Sequence, residues 1–371
     1  MTSFSTHKQL LLQLWLTPGA GPVFVEKLFN TVFLQDSSFD PTDFQHLCPQ
    51  QLSQITRIAA SEITRIQNAL VSIDELEKEI LRIQKAQAAI VTILDADYPD
   101  LLSQIYAPPI ALIYLGTLPK CLSASIAIVG SRDASAYASS SLNILLPKLI
   151  SAGFATVSGG AVGVDSMVHQ KTLDLGGKTV AVLGSGLSRI YPRGNQLLFK
   201  QIVAQGGAVI SPFPMEMSAN KSTFPARNRI IAGLAPACLV IQAAAQSGAL
   251  ITASFALEQN REVLTIPGQI DNAQFNGNNK LIKQGAAIAT ESKDIFNALN
   301  FAYPENANNI PRTEKNSNIF AGILNFMQAP IGIEELMLES GLEFEILQEM
   351  LFDLQLEQKA QQHLNGTWQR I

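Results

Sequence analysis

Between residues 121 and 300, short runs of consecutive apolar residues alternate with amphipathic stretches of helical length. Unbroken apolar runs are typical of strands buried on both faces, and their alternation with helices is typical of a parallel sheet covered on both sides. We therefore predict an α/β fold with a mostly parallel sheet. The predicted strands are Ser125–Val129, Ala155–Val157, Thr179–Leu183, Ala208–Ile210, Leu239–Ile241, Val263–Ile266 and Ala287–Ala289.

The segments on either side of this core have a different pattern. Residues 1–95 show apolar positions at helical spacing and no strand alternation, which predicts a helical domain. Residues 96–120 contain several prolines and are interpreted as a connector, and residues 301–318 are polar and rich in Asn, as in a linker. Residues 319–371 predict three short helices and a strand pair, an order that resembles a winged helix-turn-helix.

The third helix of this C-terminal domain, at about residues 343–356, would be the recognition helix of a winged helix. In this part of the chain the acidic residues are Glu343, Glu345, Glu349, Asp353 and Glu357, and none of residues 343–357 is Lys or Arg. Carboxylates facing a phosphate backbone repel it, so the pattern favours protein contacts or packing over reading of duplex DNA.

Charge is distributed unevenly along the chain. The net charge of −5 divides into −5 for residues 1–119, +6 for residues 120–300 and −6 for residues 313–371. An anionic ligand is therefore expected on the central segment, unless the asymmetry is only a fluctuation of surface charge.

Composition excludes several classes of protein. Hydrophobic residues make up 47% of the chain and charged residues 15%, which argues against a disordered protein. The three cysteines have no CxxC spacing, which argues against a zinc knuckle or a disulfide framework. The first 16 residues lack a basic n-region and a cleavage site, and no apolar run is long enough to cross a bilayer, so we expect a cytoplasmic protein without membrane contact.

Candidate chemistry lies in the residues that follow the predicted strands. Ligands of parallel sheets bind at the carboxyl ends of the strands, and here these ends are rich in Gly and lead into helices. Glycine lets the backbone approach a ligand, and free amides at a helix start attract anions. The hydroxyls of Ser131, Ser158 and Ser247 and the charges of five basic residues add to these donors. Such an edge suits several phosphates better than one.

The usual nucleotide-binding and catalytic motifs are missing. The first turn, Gly130-Ser131-Arg132-Asp133, does not fit G-x-G-x-x-G, and no Walker A, G-x-S-x-G or H-E-x-x-H pattern occurs. Asp165 is interpreted as capping or orienting a glycine loop and His169 as a packing or surface residue. We find no acid, base and nucleophile set and expect no catalytic residues, no metal and no cofactor.

Ordered motifs give the chain a resemblance to a known family. They are Gly130-Ser-Arg132, Ser158-Gly-Gly-Ala-x-Gly-x-Asp165, Tyr191-Pro-x-x-Asn195, Phe224-Pro-x-Arg-Asn-Arg-Ile-Ile-Ala-Gly-Leu234, Ser247-Gly-x-Leu-Ile-Thr-Ala253 and Pro267-Gly268. Their order resembles the DNA-processing protein A family over about residues 120–300. The chain departs at Ser211-Pro212, where the family usually has Ser-Glu.

This resemblance implies a Rossmann-like core that binds single-stranded DNA and forms a homodimer. It also implies loading of a RecA-type recombinase onto single strands during natural transformation. The flanking parts resemble the family's sterile-alpha-motif-like N-terminal domain and its winged-helix-like C-terminal domain.

Combined with the chemistry of the strand ends, the resemblance gives a set of candidate DNA-binding residues. Ser131, Arg132 and the glycines are expected to hold phosphates, and Phe224 either stacks on a base or anchors its helix in the core. Arg227 and Arg229 are two positions apart on a helix and cannot face the same way, so one of them is expected to make a structural ion pair with an Asp or Glu. The full set is Ser131, Arg132, Ser158, Gly159, Gly160, Ala161, Gly163, Lys221, Phe224, Arg227, Asn228, Arg229, Ser247, Gly248, Asn278 and Lys280.

Two other functions stay open at this point. Rossmann-like nucleoside-monophosphate phosphoribohydrolases use a comparable edge for nucleotide phosphates and carry a catalytic Glu, for which Glu258 is the candidate here. The third hypothesis is an adaptor whose basic surface binds an acidic protein.

Overall fold

The computed structural model describes residues 4–33, 40–119, 122, 124–304, 322–342, 344–356, 359–363 and 367–370. The chain divides into two units, Met1–Pro304 and Glu305–Ile371. Most of the predicted linker, residues 305–318, lies outside the described residues.

A nine-stranded sheet organises the described part of the larger unit. Its strands are β1 (Ala89–Thr92), β2 (Ala111–Gly116), β3 (Ser125–Gly130), β4 (Ala155–Ser158), β5 (Thr179–Val182), β6 (Ala208–Ser211), β7 (Ala237–Gln242), β8 (Glu262–Thr265) and β9 (Ala287–Ile288). The order across the sheet is β1-β2-β6-β5-β4-β3-β7-β8-β9. The pairs that β3 to β9 form with one another are all parallel, which confirms the predicted α/β fold and the position of each predicted strand.

The two strands β1 and β2 correct the sequence analysis. They lie in stretches interpreted as helical and as connector, yet β1 pairs with β2 and β2 pairs with β6, both antiparallel. Each is a short apolar run, and such a run cannot be told from part of a helix or a connector by periodicity. The boundaries between the individual domains stay predictions.

Helices cover both faces of the sheet. They are α1 (Thr6–Leu16), α2 (Pro22–Leu28), α3 (Pro49–Thr56), α4 (Ala60–Ala69), α5 (Ile73–Lys85), α6 (Asp100–Ser103), α7 (Ala136–Ser151), α8 (Val164–Asp174), α9 (Gln196–Ala204), α10 (Thr223–Gly233), α11 (Gly248–Glu258), α12 (Asn276–Lys283) and α13 (Ser292–Ala298). Because the parallel strands are buried on both faces, separate apolar clusters form above and below them. Within the part of the chain that the structure describes, no helix has the length and apolar character needed to cross a membrane.

Capped helix starts lie at the carboxyl edge of the sheet. Ser135 accepts a hydrogen bond from the amide of Ala138 at the start of α7, at 3.2 Å. Ser247 accepts one from the amide of Ala249 at the start of α11, at 3.3 Å. A serine in this position satisfies an amide that would otherwise lack a partner, so both helices begin at defined points beside the strand ends.

The N-terminal helices are attached to the loop that follows β6. The Trp15 indole N–H donates to the carbonyl of Pro212 at 3.0 Å. The amide of Met215 donates to the buried carboxylate of Glu79 at 2.6 Å, and Arg82 pairs with the same carboxylate at 2.9 Å. Side chains of α1 and α5 therefore fix the position of the loop after β6.

The smaller unit has the predicted order of elements. Residues 322–326 are helical and are followed by α14 (Ile333–Ser340), α15 (Phe344–Leu356), β10 (Ala360–Gln362) and β11 (Trp368–Arg370). The two strands are antiparallel, and Leu336, Leu347 and Trp368 belong to its apolar core. The acidic residues on which the interpretation of the third helix rests, Glu343, Glu345, Glu349, Asp353 and Glu357, lie outside the described residues or have undescribed side chains.

Candidate functional site

A cleft of about 480 Å³ opens at the carboxyl edge of the sheet, where β3 and β7 lie side by side. The chain leaves β3 and β7 toward opposite sides of the sheet, and such a switch point is the usual ligand site of an open α/β sheet. The lining residues come from the turns after β3, β4 and β7 and from α10 and α11: Val129, Gly130, Ser131, Arg132, Ala161, Asp165, Lys221, Phe224, Pro225, Arg227, Asn228, Ile231, Ser247, Gly248, Ala249, Ile251 and Thr252.

The rim of the cleft combines cations with aromatic rings. The Arg132 guanidinium lies 5.4 Å from the centroid of the Phe224 ring, within the range of a cation–π contact. The Tyr191 ring is 5.8 Å from that of Phe224 and inclined by 58°. Arg132, Lys221 and Tyr191 are exposed. The rim therefore offers positive charge and stacking surfaces together.

A second, smaller cavity of about 40 Å³ lies on the other side of Phe224. Gly159, Gly184 and Tyr191 line it, and it shares Arg132, Ala161, Phe224 and Arg227 with the main cleft. Phe224 is half-buried, and its ring packs against Gly184, where a side chain would leave too little room. The ring thus packs against the turn after β5 and also faces the cleft, which accommodates both sequence interpretations of Phe224.

The floor of the cleft holds a buried guanidinium. Arg227 is 6% exposed, and its Nη1 donates to the carbonyls of Gly159 and Val182. Its Nε donates to Asn228 Oδ1 at 3.1 Å. Burial lowers the pKa of Arg227 to about 10, and the nearby Asp165 opposes that change. The group stays cationic at neutral pH, and its hydrogen bonds join the ends of β4 and β5.

Asp165 supplies the single carboxyl group among the residues that line the cleft, and it is buried. It accepts a hydrogen bond from the amide of Ala161 at 3.3 Å, which confirms the prediction that it orients the glycine loop. Burial raises the pKa of Asp165, and the charge of Arg227 acts in the opposite direction. A strand in the cleft would therefore meet little exposed negative charge.

The glycine loop after β4 takes a shape that side chains rarely allow. Gly160 has a φ of +64° and Gly163 a φ of +89°, both in the left-handed region. A Cβ at Gly163 would lie 2.4 Å from the carbonyl oxygen of Ser131, so the two turns touch there. Asn195 donates to the carbonyl of Gly160 at 2.9 Å and to Ser166 Oγ at 2.8 Å, which fixes the loop from the side.

His169 lies beneath this loop and has the packing role that we predicted. It is fully buried, and its Nδ1 is 2.7 Å from Thr179 Oγ1. Burial, with a smaller contribution from Arg227, lowers the pKa of His169 to about 3. The ring is therefore neutral and does not act as a cation in the cleft.

Most of the predicted binding residues are brought together. Ten of them line the main cleft or the smaller cavity: Ser131, Arg132, Gly159, Ala161, Lys221, Phe224, Arg227, Asn228, Ser247 and Gly248. Gly160 and Gly163 lie in the same loop without lining either cavity, and their backbone packs against Phe199 and the turn after β3. These two glycines determine the shape of the loop without lining the cleft themselves.

Three predicted residues are placed elsewhere, which corrects the sequence analysis. Ser158 is fully buried and donates to the carbonyl of Ile128 at 2.7 Å. Asn278 is also fully buried, and its amide bonds to backbone groups around β7 and β8. Arg229 points away from the cleft and donates to the carbonyls of Tyr106 and Ala107. All three hold neighbouring elements together.

Lys280 is exposed on α12 and is not among the lining residues. Arg227 and Arg229 face different ways, as their spacing predicted. Both bond to backbone carbonyls, and Arg227 also lies close to the carboxyl group of Asp165.

Sequence reasoning missed Tyr191 as a site residue. It stands next to Phe224 with 47% of its surface exposed and lines the smaller cavity. The signal was present, since Tyr191-Pro-x-x-Asn195 is one of the family-like motifs. The apolar lining residues Ile231 and Ile251 were missed as well, because a buried-helix pattern does not distinguish a cleft wall from a core.

Metal ligands do not cluster in the described part of the chain, where no three His, Cys, Asp or Glu side chains are grouped so that they could hold an ion.

Comparisons with known proteins show which family the chain resembles. The sequence matches the model of the DNA recombination-mediator protein A family over residues 89–300. It is 35% identical to the Smf protein of Synechocystis sp., over 76% of this chain and 70% of that protein. It is 41% identical to the Smf protein of Escherichia coli, over 55% of this chain and 54% of that protein.

Solved structures extend the likeness to the fold. DNA processing protein A of Streptococcus pneumoniae superposes with a TM-score of 0.64 at 29% identity, over 80% of this chain and 98% of that chain. The Helicobacter pylori protein of the same name, whose structure was described with its single-stranded DNA binding mode, gives a TM-score of 0.50 at 26% identity, over 57% of this chain and 95% of that chain. On these grounds the chain belongs to the DNA recombination-mediator protein A family.

Proposed function

We propose that the cleft binds single-stranded DNA and does not react with it. The observation that carries the proposal is the exposed Arg132 guanidinium lying over the Phe224 ring, at the rim of a cleft whose carboxyl group is buried. Proteins that bind single strands combine a cationic path for phosphates with aromatic faces on which bases stack. The relative from Helicobacter pylori, described by its single-stranded DNA binding mode, supports the same ligand.

In this proposal the phosphates lie along the rim. Arg132 and Lys221 supply charge there, and Ser247 and Gly248, at the start of α11, line the same space. A helix start attracts phosphate because its first amides lack partners within the helix.

The bases are placed on the apolar surfaces of the site. Phe224 and Tyr191 offer ring faces, and Ile231 and Ile251 form an apolar wall of the cleft. Stacking and backbone contacts do not read the edges of the bases, so we expect little sequence preference.

Binding in different salt concentrations tests the ligand. Fluorescence anisotropy with labelled single-stranded and duplex oligonucleotides should show tighter binding of the single strand, because only its bases are free to stack. The logarithm of affinity should fall with that of salt by about 0.7 per neutralised phosphate. Equal affinity for both forms, or no binding, would contradict the proposal.

The partners are also proposals. Membership of a recombination-mediator family supports the loading of a RecA-type recombinase onto the bound strand, and the core is the proposed site of homodimer formation. Natural transformation is the proposed setting. Recombinase filaments should assemble faster on an oligonucleotide when this chain is present, and an unchanged rate would argue against loading.

The hydrolase alternative has less support from the geometry. Its candidate acid, Glu258, lies exposed at the far end of α11 from the cleft and accepts a hydrogen bond from Ser254 at 3.3 Å. Incubation with nucleoside monophosphates should release no free base, and its release would favour the hydrolase.

A further inference from the structure

One buried side chain, Gln242, holds the turn that carries Arg132. Gln242 ends β7, has no exposed surface and lies more than a hundred positions from that turn in sequence. Its Oε1 accepts hydrogen bonds from the amide of Ser135 at 2.9 Å and from the Ser135 hydroxyl at 2.8 Å. Its Nε2 donates to the carbonyl of Asp133 at 2.8 Å. The side-chain amide of Gln242 therefore bonds to the turn at two residues, Asp133 and Ser135.

A second glutamine extends this contact. Gln242 Nε2 is 3.3 Å from Gln274 Oε1, and Gln274 Nε2 donates to the carboxylate of Asp133 at 3.1 Å. Asp133 is thus held through its backbone and its side chain. An amide side chain accepts from Ser135 through its oxygen and donates to Asp133 through its nitrogen at the same time, so the chemistry of this position fits Gln.

The backbone on the other side of Arg132 is fixed as well. The amide of Val164 donates to the carbonyl of Ser131 at 3.0 Å. The strand pairing between β3 and β7 shifts register between Val129 and Gly130, immediately before the turn, so the regular ladder does not continue into it. Side-chain bonds from Gln242 take the place of ladder bonds in positioning Arg132, whose own side chain stays exposed.

We propose that Gln242 is a positioning residue for DNA binding, which acts by fixing the backbone at Arg132 before the strand arrives. The inference rests on the proposed function, because it concerns the same cleft. When a loop is ordered by folding, its ordering no longer opposes binding, and this preorganisation raises affinity without a contact to the ligand.

The experiment is a double-mutant cycle on the full chain with a labelled oligothymidylate. Gln242→Met keeps the length of the side chain and removes its hydrogen bonds, and it should weaken binding about two- to tenfold, the range for one side chain that must be ordered on binding. In the Arg132→Ala background the same change should weaken binding less than about twofold, because the residue through which it acts is gone.

Two further variants keep the test decisive. Thr265→Val is the matched control, since Thr265 is equally buried and bonds to Val240 and Asn278 but not to the turn. It should bind as the wild type does. If circular dichroism shows that Gln242→Met does not fold, Gln274→Leu replaces it. This change removes the hydrogen bond from Gln274 to the carboxylate of Asp133 and should cause a smaller loss of affinity. In the Arg132→Ala background Gln274→Leu should cause no further loss.

The outcomes separate the inference from the proposed function. If the wild type binds and Arg132→Ala weakens binding while a folded Gln242→Met binds as the wild type does, the inference is wrong and the proposed function stands. An equal loss from Gln242→Met in both backgrounds also overturns it. If the wild type does not bind the oligothymidylate, the proposed function fails and the inference with it.

Discussion

The rim and the floor of the cleft use the same residue types in opposite ways. Arg132 on the rim is exposed and has an aromatic ring as its neighbour. Arg227 on the floor is buried and donates hydrogen bonds to backbone carbonyls. Both are arginines within one family-like site, and both line the same cavity. The comparison teaches that a charge near a ligand can serve the ligand or the fold, and that burial decides which.

The largest expected effect is on the floor. Arg227→Met should lower the free energy of unfolding by about 3–5 kcal/mol, because it leaves Asp165 buried without a nearby cation and two carbonyls without a donor. Urea unfolding measures this. Arg229→Met is the matched control, since that half-buried arginine also bonds to two carbonyls but has no carboxylate beside it. An equal loss in the two variants would contradict the special role of the floor.

On the rim, Arg132→Ala should weaken single-strand binding about ten- to a hundredfold through loss of charge-assisted contacts to phosphate. Anisotropy with oligonucleotides of mixed sequence measures the effect, which should be similar for all of them. Unfolding should be nearly unchanged, since the side chain is exposed. Unchanged affinity in the folded variant would remove Arg132 from the site.

Acid should destabilise the floor through His169. The pKa of His169 is about 3 in the folded chain, against an unfolded value of 6.5. As pH falls below 6.5, the unfolded chain takes up a proton that the folded chain does not, so stability falls by about 2 kcal/mol from pH 7 to pH 5. The raised pKa of Asp165 acts in the opposite sense, so the wild type must be compared with His169→Gln.

In the His169→Gln variant the stability lost between these two pH values should be smaller by about that same 2 kcal/mol. Urea unfolding at both pH values gives the comparison. The same pH dependence in both proteins would show that His169 takes up its proton readily in the folded chain.

The smallest effect concerns Lys221. Its removal in Lys221→Ala should weaken binding about two- to fivefold and reduce the salt slope by about 0.7, the contribution of one phosphate. Lys178 provides the control, because it is exposed just before β5, at the amino end of that strand and therefore at the other edge of the sheet. Lys178→Ala should leave affinity and slope unchanged, and the comparison fails if the two lysines behave alike.

The parallel part of the fold could be predicted because its strands are unbroken apolar runs set between helices. Each of the runs from Ser125 to Ala289 became a strand of the sheet. The antiparallel strands β1 and β2 could not be predicted, since an apolar run of four or six residues is too short to show a periodicity of its own. Their pairing is decided by the exposed edge of β6, which is a tertiary effect.

The site was predictable to the level of loops and less so to the level of side chains. Glycine turns after parallel strands must meet at one edge, which placed Ser131, Gly159 and Ser247 together. A sequence does not show which polar side chain turns inward. Asn278 lies on a short helix of mostly polar residues, and nothing in the sequence marks it as buried. In the structure its side chain bonds to the backbone in and next to β7.

The adjacency of β3 and β7 has a consequence for how the chain acquires its activity during synthesis. Residues 125–130 and 237–242 become neighbours only after the intervening strands and helices have been made. Contacts between such distant segments form late in folding, because a long stretch of chain must close first. A nascent chain that stops short of residue 242 lacks the wall of the cleft that β7 and α11 provide, so the proposed binding site is complete only late in synthesis.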